Sequence, residues 1–493
     1  MDSLDHFDVI IVGSGISGLS VALNLKPSVK ALIVAKKSFF LCNTSLAQGG
    51  IAAVYNFKND NHNKHIKDTL VAGHNKNRID AVRLLSQNSK DAIDDLVSLG
   101  VEFDTDDTGN YQMGLEGGHS EPRIFHHKDS SGNEIQKKLT DQCSKRKNIV
   151  MLEYTQLSDI KFINSEYKLE FLKQNCGLYH ASCTYLVIAT GGIGRIYPYT
   201  TNSSISTGDG IAFAWRLGAK IKNISYIQFH PTAFQNNSRE SFLISEAVRG
   251  DGAYLLNCNM QRFMQKYDDR LELAPRDVVS RAILKEQKLI GSSKFYLDIS
   301  HKDSNLIKSR FPMITDKLKE YGYDITKQPI PIYPSQHYLM GGIDVDLNSQ
   351  STLPGLFAVG ECSHTGVHGK NRLASNSLLE GYVFAKRAAI FINDNLKPIK
   401  KESNIYEFPK NTGNEPLPIG IRTEIRKILY ESTFVTTNKN KIQTGFLKLK
   451  DIMTMLEDDN FKISQDLIEA RSLAICGYLI LKELMDKYIK KEF

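Results

Sequence analysis

The stretch Gly13-Ser14-Gly15-Ile16-Ser17-Gly18 follows directly on the β-rich apolar run Asp8–Val12, and this pairing limits the fold more than any other feature of the chain. Glycines at 13, 15 and 18 permit a tight turn and close backbone approach, and they deliver a phosphate group to the N-terminus of the helix that follows. Leu19–Leu25 reads as that helix, ending before Pro27, and Ala31–Ala35 as the next strand. A strand, a glycine turn, a helix and a second strand form the unit in which such a fingerprint carries meaning. The start of the chain is therefore read as dinucleotide-binding. Alone, it does not separate one dinucleotide from another.

Two later apolar runs have the same punctuation. Tyr185–Ala189 ends in Thr190-Gly191-Gly192, and Leu356–Val359 ends in Gly360-Glu361. The nucleotide-binding sheet is expected to be assembled from two pieces, residues 1–223 and 338–395, with 224–337 inserted as a cap. Residues 396–420 dissolve into Lys, Pro, Asn and Gly and read as a linker. Beyond it, Ile421, Ile425, Ile428 and Leu429, then Ile442, Phe446, Leu449, Met453 and Leu456, then Leu467–Leu484 follow helical spacing. The expected class is α/β: a Rossmann-like domain, an inserted α+β capping domain, and a C-terminal helical domain over 421–493 expected to carry no chemistry. No internal repeat is visible.

A net charge of +7 invites a nucleic-acid or membrane reading. The lysines are scattered or sit in short clusters, 397–401 and 487–491, and no long basic block is present, so neither partner is expected. Seven cysteines with no Cys-x-x-Cys pairing argue against a disulfide framework or a metal site. The acidic start, Met1-Asp2-Ser3-Leu4-Asp5-His6, lacks the basic region of a signal peptide, and glycines break the apolar run behind it. A cytoplasmic protein is expected.

Four distant polar stretches complete the pattern: Glu116-Gly117-Gly118-His119-Ser120, Gln228-Phe229-His230-Pro231-Thr232, Leu273-Ala274-Pro275-Arg276-Asp277 and His364 through Arg372. Each offers a group suited to holding a small dianion, which needs separated clamps of guanidinium and imidazole donors. Taken together they resemble the succinate dehydrogenase/fumarate reductase flavoprotein superfamily, and within it the L-aspartate oxidases. The resemblance runs from about Asp8 through Tyr382 and more loosely through the tail.

That resemblance implies FAD. Its expected contacts are Gly13 through Gly18, Lys36, the segment Asn43-Thr44-Ser45-Leu46-Ala47-Gln48-Gly49-Gly50, Thr190, Gly191, Asp209, Glu361, Ser377 and Leu378. The respiratory members carry at the Asn43 position a histidine joined to the flavin. An amide cannot form that bond, so the FAD is expected to be non-covalent. The acid that grips the adenosine ribose in many flavoproteins is absent; the chain reads Val34-Ala35-Lys36, as aspartate oxidases tend to. Arg276, His230, His337, Arg372 and Glu116 are the implied catalytic residues, with Gln228, Ser245 and Glu246 beside the substrate. Arg276 is the proton carrier, although a guanidinium hardly deprotonates. Glu116 would pair with an α-ammonium, which aspartate has and succinate lacks. Arg249 and Arg281 are read as structural.

The implied reaction is oxidation of L-aspartate to iminoaspartate, with dioxygen or fumarate as acceptor and quinolinate synthase as the enzyme served. The tail departs from the family at Glu431-Ser432-Thr433-Phe434-Val435 and stops at Phe493. Two other readings stay open: a soluble fumarate reductase or succinate dehydrogenase flavoprotein, against which Asn43 and Glu116 count, and a non-catalytic or RNA-modifying FAD module, against which the clamp residues count.

Overall fold

The computed structural model describes residues 5–236, 238–396, 408, 413–458 and 460–490, so much of the expected 396–420 linker and the 397–401 lysine cluster lie outside the described residues. Strand Asp5–Val12 is the centre of a seven-stranded sheet. It pairs in parallel with Ala31–Val34 on one side and Gly177–Ile188 on the other, and Ile149–Leu152 extends the first side. Leu356–Ala358 joins the far edge of the Gly177–Ile188 tip in parallel, Leu356 opposite Leu186 and Ala358 opposite Ile188. The two runs that end in Gly-Gly and Gly-Glu therefore lie side by side, and their C-terminal ends open on one crevice, as expected of a doubly wound sheet.

One part of the sheet was not legible. The run read as Tyr185–Ala189 is the end of a longer strand, Gly177–Ile188, which closes an antiparallel meander with Thr155–Ile163 and Glu166–Lys173. The first helix spans Ile16–Asn24, starting earlier than the apolar spacing suggests.

The end of the central strand is buried on both faces. Val9 and Ile11 face a core shared with helices Ile16–Asn24, Ser131–Ser144 and Asn376–Asn395, while Ile10 and Val12 face the opposite core. That second core is continuous with the three C-terminal helices, Ile421–Thr433, Lys439–Leu456 and Gln465–Lys490, through fully buried Leu473, Ile480 and Leu481. The last helix lies on Asp209–Arg216, with Cys476 Sγ against Gly208 O. At roughly 1.5–3 kcal/mol for each large apolar side chain fully buried, this face depends on the tail for much of its cohesion.

A third core forms around a four-stranded antiparallel sheet in the order Ile227–Phe234, Ile330–Leu339, Phe295–Asp298, Tyr254–Leu256, backed by helix Arg276–Ile290. From its first two strands His230, His337 and Tyr338 line the crevice. None of the helices among the described residues is long and apolar enough to cross a membrane.

Candidate active site

A single cleft of about 1690 Å³, open mouth included, runs from the glycine turn to the arginines, lined by most of the residues expected at either end. At the phosphate end, Gly13 adopts φ +120°, and a Cβ there would lie 2.0 Å from Ala189 O, so no other residue fits. Helix Ile16–Asn24 has Gly15 at its N-cap and no side chain of its own capping it; only the Thr44 hydroxyl accepts from Ile16 N, at 3.0 Å. Ser14, Ser17, Leu46, Ala47, Gln48, Gly49, Gly50, Thr190, Gly191, Ser377 and Leu378 line the same space.

Gly18 does not line it. Its α-carbon packs against the turn itself, since a Cβ would fall 2.1 Å from Gly13 O, so this glycine serves helix-to-strand packing. Ser45 is turned away as well, its hydroxyl 3.4 Å from Cys42 Sγ in the turn that reverses the chain.

The cleft suits a dinucleotide on grounds of its own. Buried Gln48 Oε1, Gln156 Oε1, Thr190 Oγ1, His230 Nε2 and Arg372 Nε all face or border it without a hydrogen-bond partner, and such atoms are costly unless a ligand meets them. Glu361 Oε1 accepts from Leu339 N at 3.0 Å, and burial pushes its carboxyl up to about 7. Asn43 is fixed from both ends, donating to Asn202 Oδ1 at 2.7 Å and accepting from Ser203 N at 2.9 Å. Lys36 Nζ lies 2.9 Å from Asp209 and 3.0 Å from Glu469 of the last helix.

At the other end the side chains interlock. Arg276 is the first residue of helix Arg276–Ile290, set by Pro275 so that its guanidinium leaves the helix N-terminus. Its Nε donates to Glu246 Oε2 at 2.6 Å and its Nη1 to Gln228 Oε1 at 3.0 Å. Glu246 is shared with Arg249, 2.9 Å away, and these two cations hold its carboxyl below the usual range despite burial. Gln228 does not reach the cleft. The register with strand Ile330–Leu339 slips at this point, with His337 as the extra residue opposite Gln228 and Phe229, and Gln228 donates its amide to Asn371 Oδ1 and Arg372 O. It thereby holds the Arg276 side chain and the Arg372 backbone in place.

Arg372 donates to Ser377 Oγ and His337 Nε2, both at 3.0 Å, and stacks 4.6 Å over the Tyr338 ring. Burial and the nearby Arg276 bring its guanidinium down to about 10. Because His337 Nε2 accepts, its Nδ1 carries the proton and donates to Thr201 Oγ1 at 2.7 Å. By the same reasoning, Thr232 N donates to His230 Nδ1 at 3.3 Å, which leaves His230 Nε2–H aimed into the cleft. The rings are 5.0 Å apart, and burial plus the arginines hold both pKa values well below 6.5, so both are neutral donors. Ser245 lines the cleft as N-cap of the short helix Glu246–Gly250.

Of the Glu-Gly-Gly-His-Ser stretch, only the glutamate enters. Glu116 Oε2 accepts from Ser375 Oγ at 2.6 Å, and Ser375 is itself held at φ 60°. Burial and the facing Glu246 push the Glu116 carboxyl up. His119 points outward to Ala374 O and to Arg123, a fully buried arginine that also grips Asp60 and Asp68. Thr201, Asn202, Tyr338 and Ser375 escaped the sequence reading; nothing in their local pattern marks them, since each acts by orienting a motif residue far away in the chain.

A dinucleotide cleft that opens without interruption on a buried cluster of arginines and neutral histidines fits a nucleotide-dependent enzyme acting on a small anion, and the comparisons with known proteins make that class FAD-dependent oxidoreductase. The FAD binding domain family model matches residues 8–378. The chain is 38% identical to an L-aspartate oxidase from Pseudomonas aeruginosa over 97% of its own length and 93% of that protein's, and 44% identical to one from Clostridium perfringens over 82% and 91%. Among solved structures, E. coli quinol fumarate reductase superposes with a TM-score of 0.89 at 27% identity, over 98% of this chain and 90% of that one. Mycobacterium smegmatis Sdh1 gives 0.80 at 28%, over 99% and 87%. The chain belongs to the L-aspartate oxidase family, and FAD is its cofactor.

Proposed function

We infer that this protein oxidises L-aspartate to iminoaspartate, with His230, Arg372 and Arg276 binding the two carboxylates and Glu116 the α-ammonium. Bound FAD supplies the hydride acceptor and passes the electrons on to dioxygen or fumarate. The single observation that carries the substrate choice is Glu116, a buried carboxylate in the same cleft as Arg276 and Arg372. Arg249, Arg276 and Arg372 against Glu246 leave two positive charges, the complement of a dicarboxylate. An ionised Glu116 adds the one negative charge that an amino-dicarboxylate needs and that succinate does not.

The chain's own groups act by placement. His337 holds Arg372 by accepting from it; Gln228 and Glu246 hold Arg276. His230 presents an N–H to a carboxylate oxygen. When fumarate accepts the electrons, the carbon next to the one receiving hydride takes a proton, and Arg276 is the donor assigned to it. Quinolinate synthase is the consumer proposed for the product, and a cytoplasmic setting accords with cysteines that are all unpaired. Anaerobic addition of L-aspartate is expected to bleach the flavin, whereas succinate should bleach it far more slowly. The reverse order would favour the fumarate reductase reading.

The FAD is proposed to be non-covalent, since Asn43 has no nucleophilic ring nitrogen and its amide is committed to Asn202 and Ser203. Acid precipitation is expected to leave the yellow colour in the supernatant. Colour in the pellet would refute the assignment.

A further inference from the structure

The C-terminal helix Gln465–Lys490 reaches the cofactor cleft from behind. Its Glu469 Oε1 lies 3.0 Å from Lys36 Nζ, and its Gln465 Oε1 accepts from Lys37 Nζ at 2.9 Å. Lys36 also donates to Thr207 Oγ1 at 2.7 Å and pairs with Asp209 at 2.9 Å, while Gln156 donates to the same Asp209 oxygen at 3.2 Å. Lys36, Gln156 and Asp209 line the cleft; Glu469 does not. It stands one layer back, its other oxygen fixed by Arg422 at 2.7 Å, and Arg422 has Asp466 as a second partner at 2.9 Å.

This arrangement sits at the end of the second strand, where the chain has Ala35-Lys36 in place of a ribose-binding acid. The side chains of Lys36, Asp209 and Glu469 are 11%, 10% and 9% exposed, so their positions depend on pairing, because a buried charge left alone is unfavourable. Asp209 is the carboxylate that lines this end, and Lys36 is the cation that fixes it, with Thr207 and Gln156 as its neutral partners. Two anions hold Lys36. One comes from the nucleotide-binding part of the chain and the other from its tail.

We propose that Glu469 is a cofactor-positioning residue: through Lys36 it completes the adenosine end of the FAD site, so that FAD binding and docking of the C-terminal helix stabilise each other. This rests on FAD lying in the cleft with its adenosine toward Lys36. Reciprocity is then required, since whatever the docked helix adds to FAD affinity, bound FAD adds to helix docking. The tail is thereby part of the cofactor site, not only a cover for the sheet.

The test is a double-variant cycle on the full-length chain, with FAD dissociation constants measured by flavin fluorescence on reconstituting apoprotein. Glu469→Gln keeps the shape and leaves Arg422 paired with Asp466; it is expected to weaken FAD binding roughly tenfold, within the usual range of site coupling. Lys36→Met should weaken it at least as much, and the combined variant no more than Lys36→Met alone. Hydrogen exchange over 465–472 should slow when FAD binds the native protein and respond much less in Glu469→Gln. Losses that add in the combined variant, or FAD protection of the helix that survives Glu469→Gln, would overturn the proposal. If Lys36→Met weakens FAD and Glu469→Gln does not, the role of the tail fails while the placement of FAD stands. If neither variant changes FAD affinity, both fail.

Discussion

Arg276→Lys is expected to lower turnover with fumarate roughly 10²–10³-fold while changing ligand affinity only a few-fold, because a positioned proton donor is worth about that much and a lysine preserves the charge. The guanidinium has three nitrogens, two of them committed: Nε to Glu246 and Nη1 to Gln228. That leaves one aimed by a rigid fork. An ammonium on a flexible stem replaces the fork with one point charge and cannot keep both contacts while facing a substrate carbon. The position adds to the demand, since the N-terminus of helix Arg276–Ile290 carries partial positive charge that draws an anionic ligand to this end of the cleft. Stopped-flow reoxidation of reduced enzyme by fumarate reads the proton-dependent step; flavin reduction by aspartate and ligand titration read the rest. Weakened binding with an unchanged reoxidation rate would make Arg276 a carboxylate clamp only.

How much of this was legible in the sequence follows from the range of each signal. Glycine turns are local, because Gly13 answers to its own φ and to one neighbouring carbonyl, so the nucleotide end could be read residue by residue. Arg276, Arg372 and His230 sit in short motifs, and the fold brings all three to one cleft. Gln228 shows the limit: motif membership puts it beside the substrate, whereas its side chain is bonded to Asn371, the Arg372 carbonyl and Arg276, all of them distant in sequence, and no local pattern marks such contacts. The meander Thr155–Ile188 is not picked out because the turn between its first two strands is Asn164-Ser165, both at positive φ without a glycine to signal a hairpin, although the middle strand has the alternation of a half-buried strand in Glu166-Tyr167-Lys168-Leu169. The tail was read as inert for a related reason. Helical spacing predicts which face is buried, and it does so here, but it says nothing about where one glutamate on that helix meets a lysine more than four hundred residues away.

Glu116→Gln is expected to lower the specificity constant for L-aspartate about 100-fold, the size of loss that follows when one partner of a buried charge pair is removed. Binding of fumarate should be unchanged or tighter. The two halves of the result have one cause. With Glu116 neutral, the arginines and Glu246 leave two positive charges facing a dianion; with Glu116 ionised, that excess is one, and the balance is right only for a ligand that brings its own ammonium. Protonation does reversibly what the substitution does permanently. Burial and Glu246 raise the Glu116 pKa, so the native enzyme should lose aspartate activity as pH falls through a value above the ordinary carboxylate range, while fumarate binding holds or improves over the same interval. His230 and His337 are already neutral there, their pKa values lying well below 6.5, so they add no step of their own near neutrality. In Glu116→Gln the part of the acid limb that separates aspartate from fumarate should vanish along with most of the activity, whereas a step from Glu361, whose carboxyl is pushed up to about 7 in the same cleft, would be common to both ligands. A general folding defect would depress both ligands together and leave the pH profile in place. Equal losses for aspartate and fumarate would therefore make Glu116 a structural residue and remove the physical basis for its selecting an amino acid over a plain dicarboxylate.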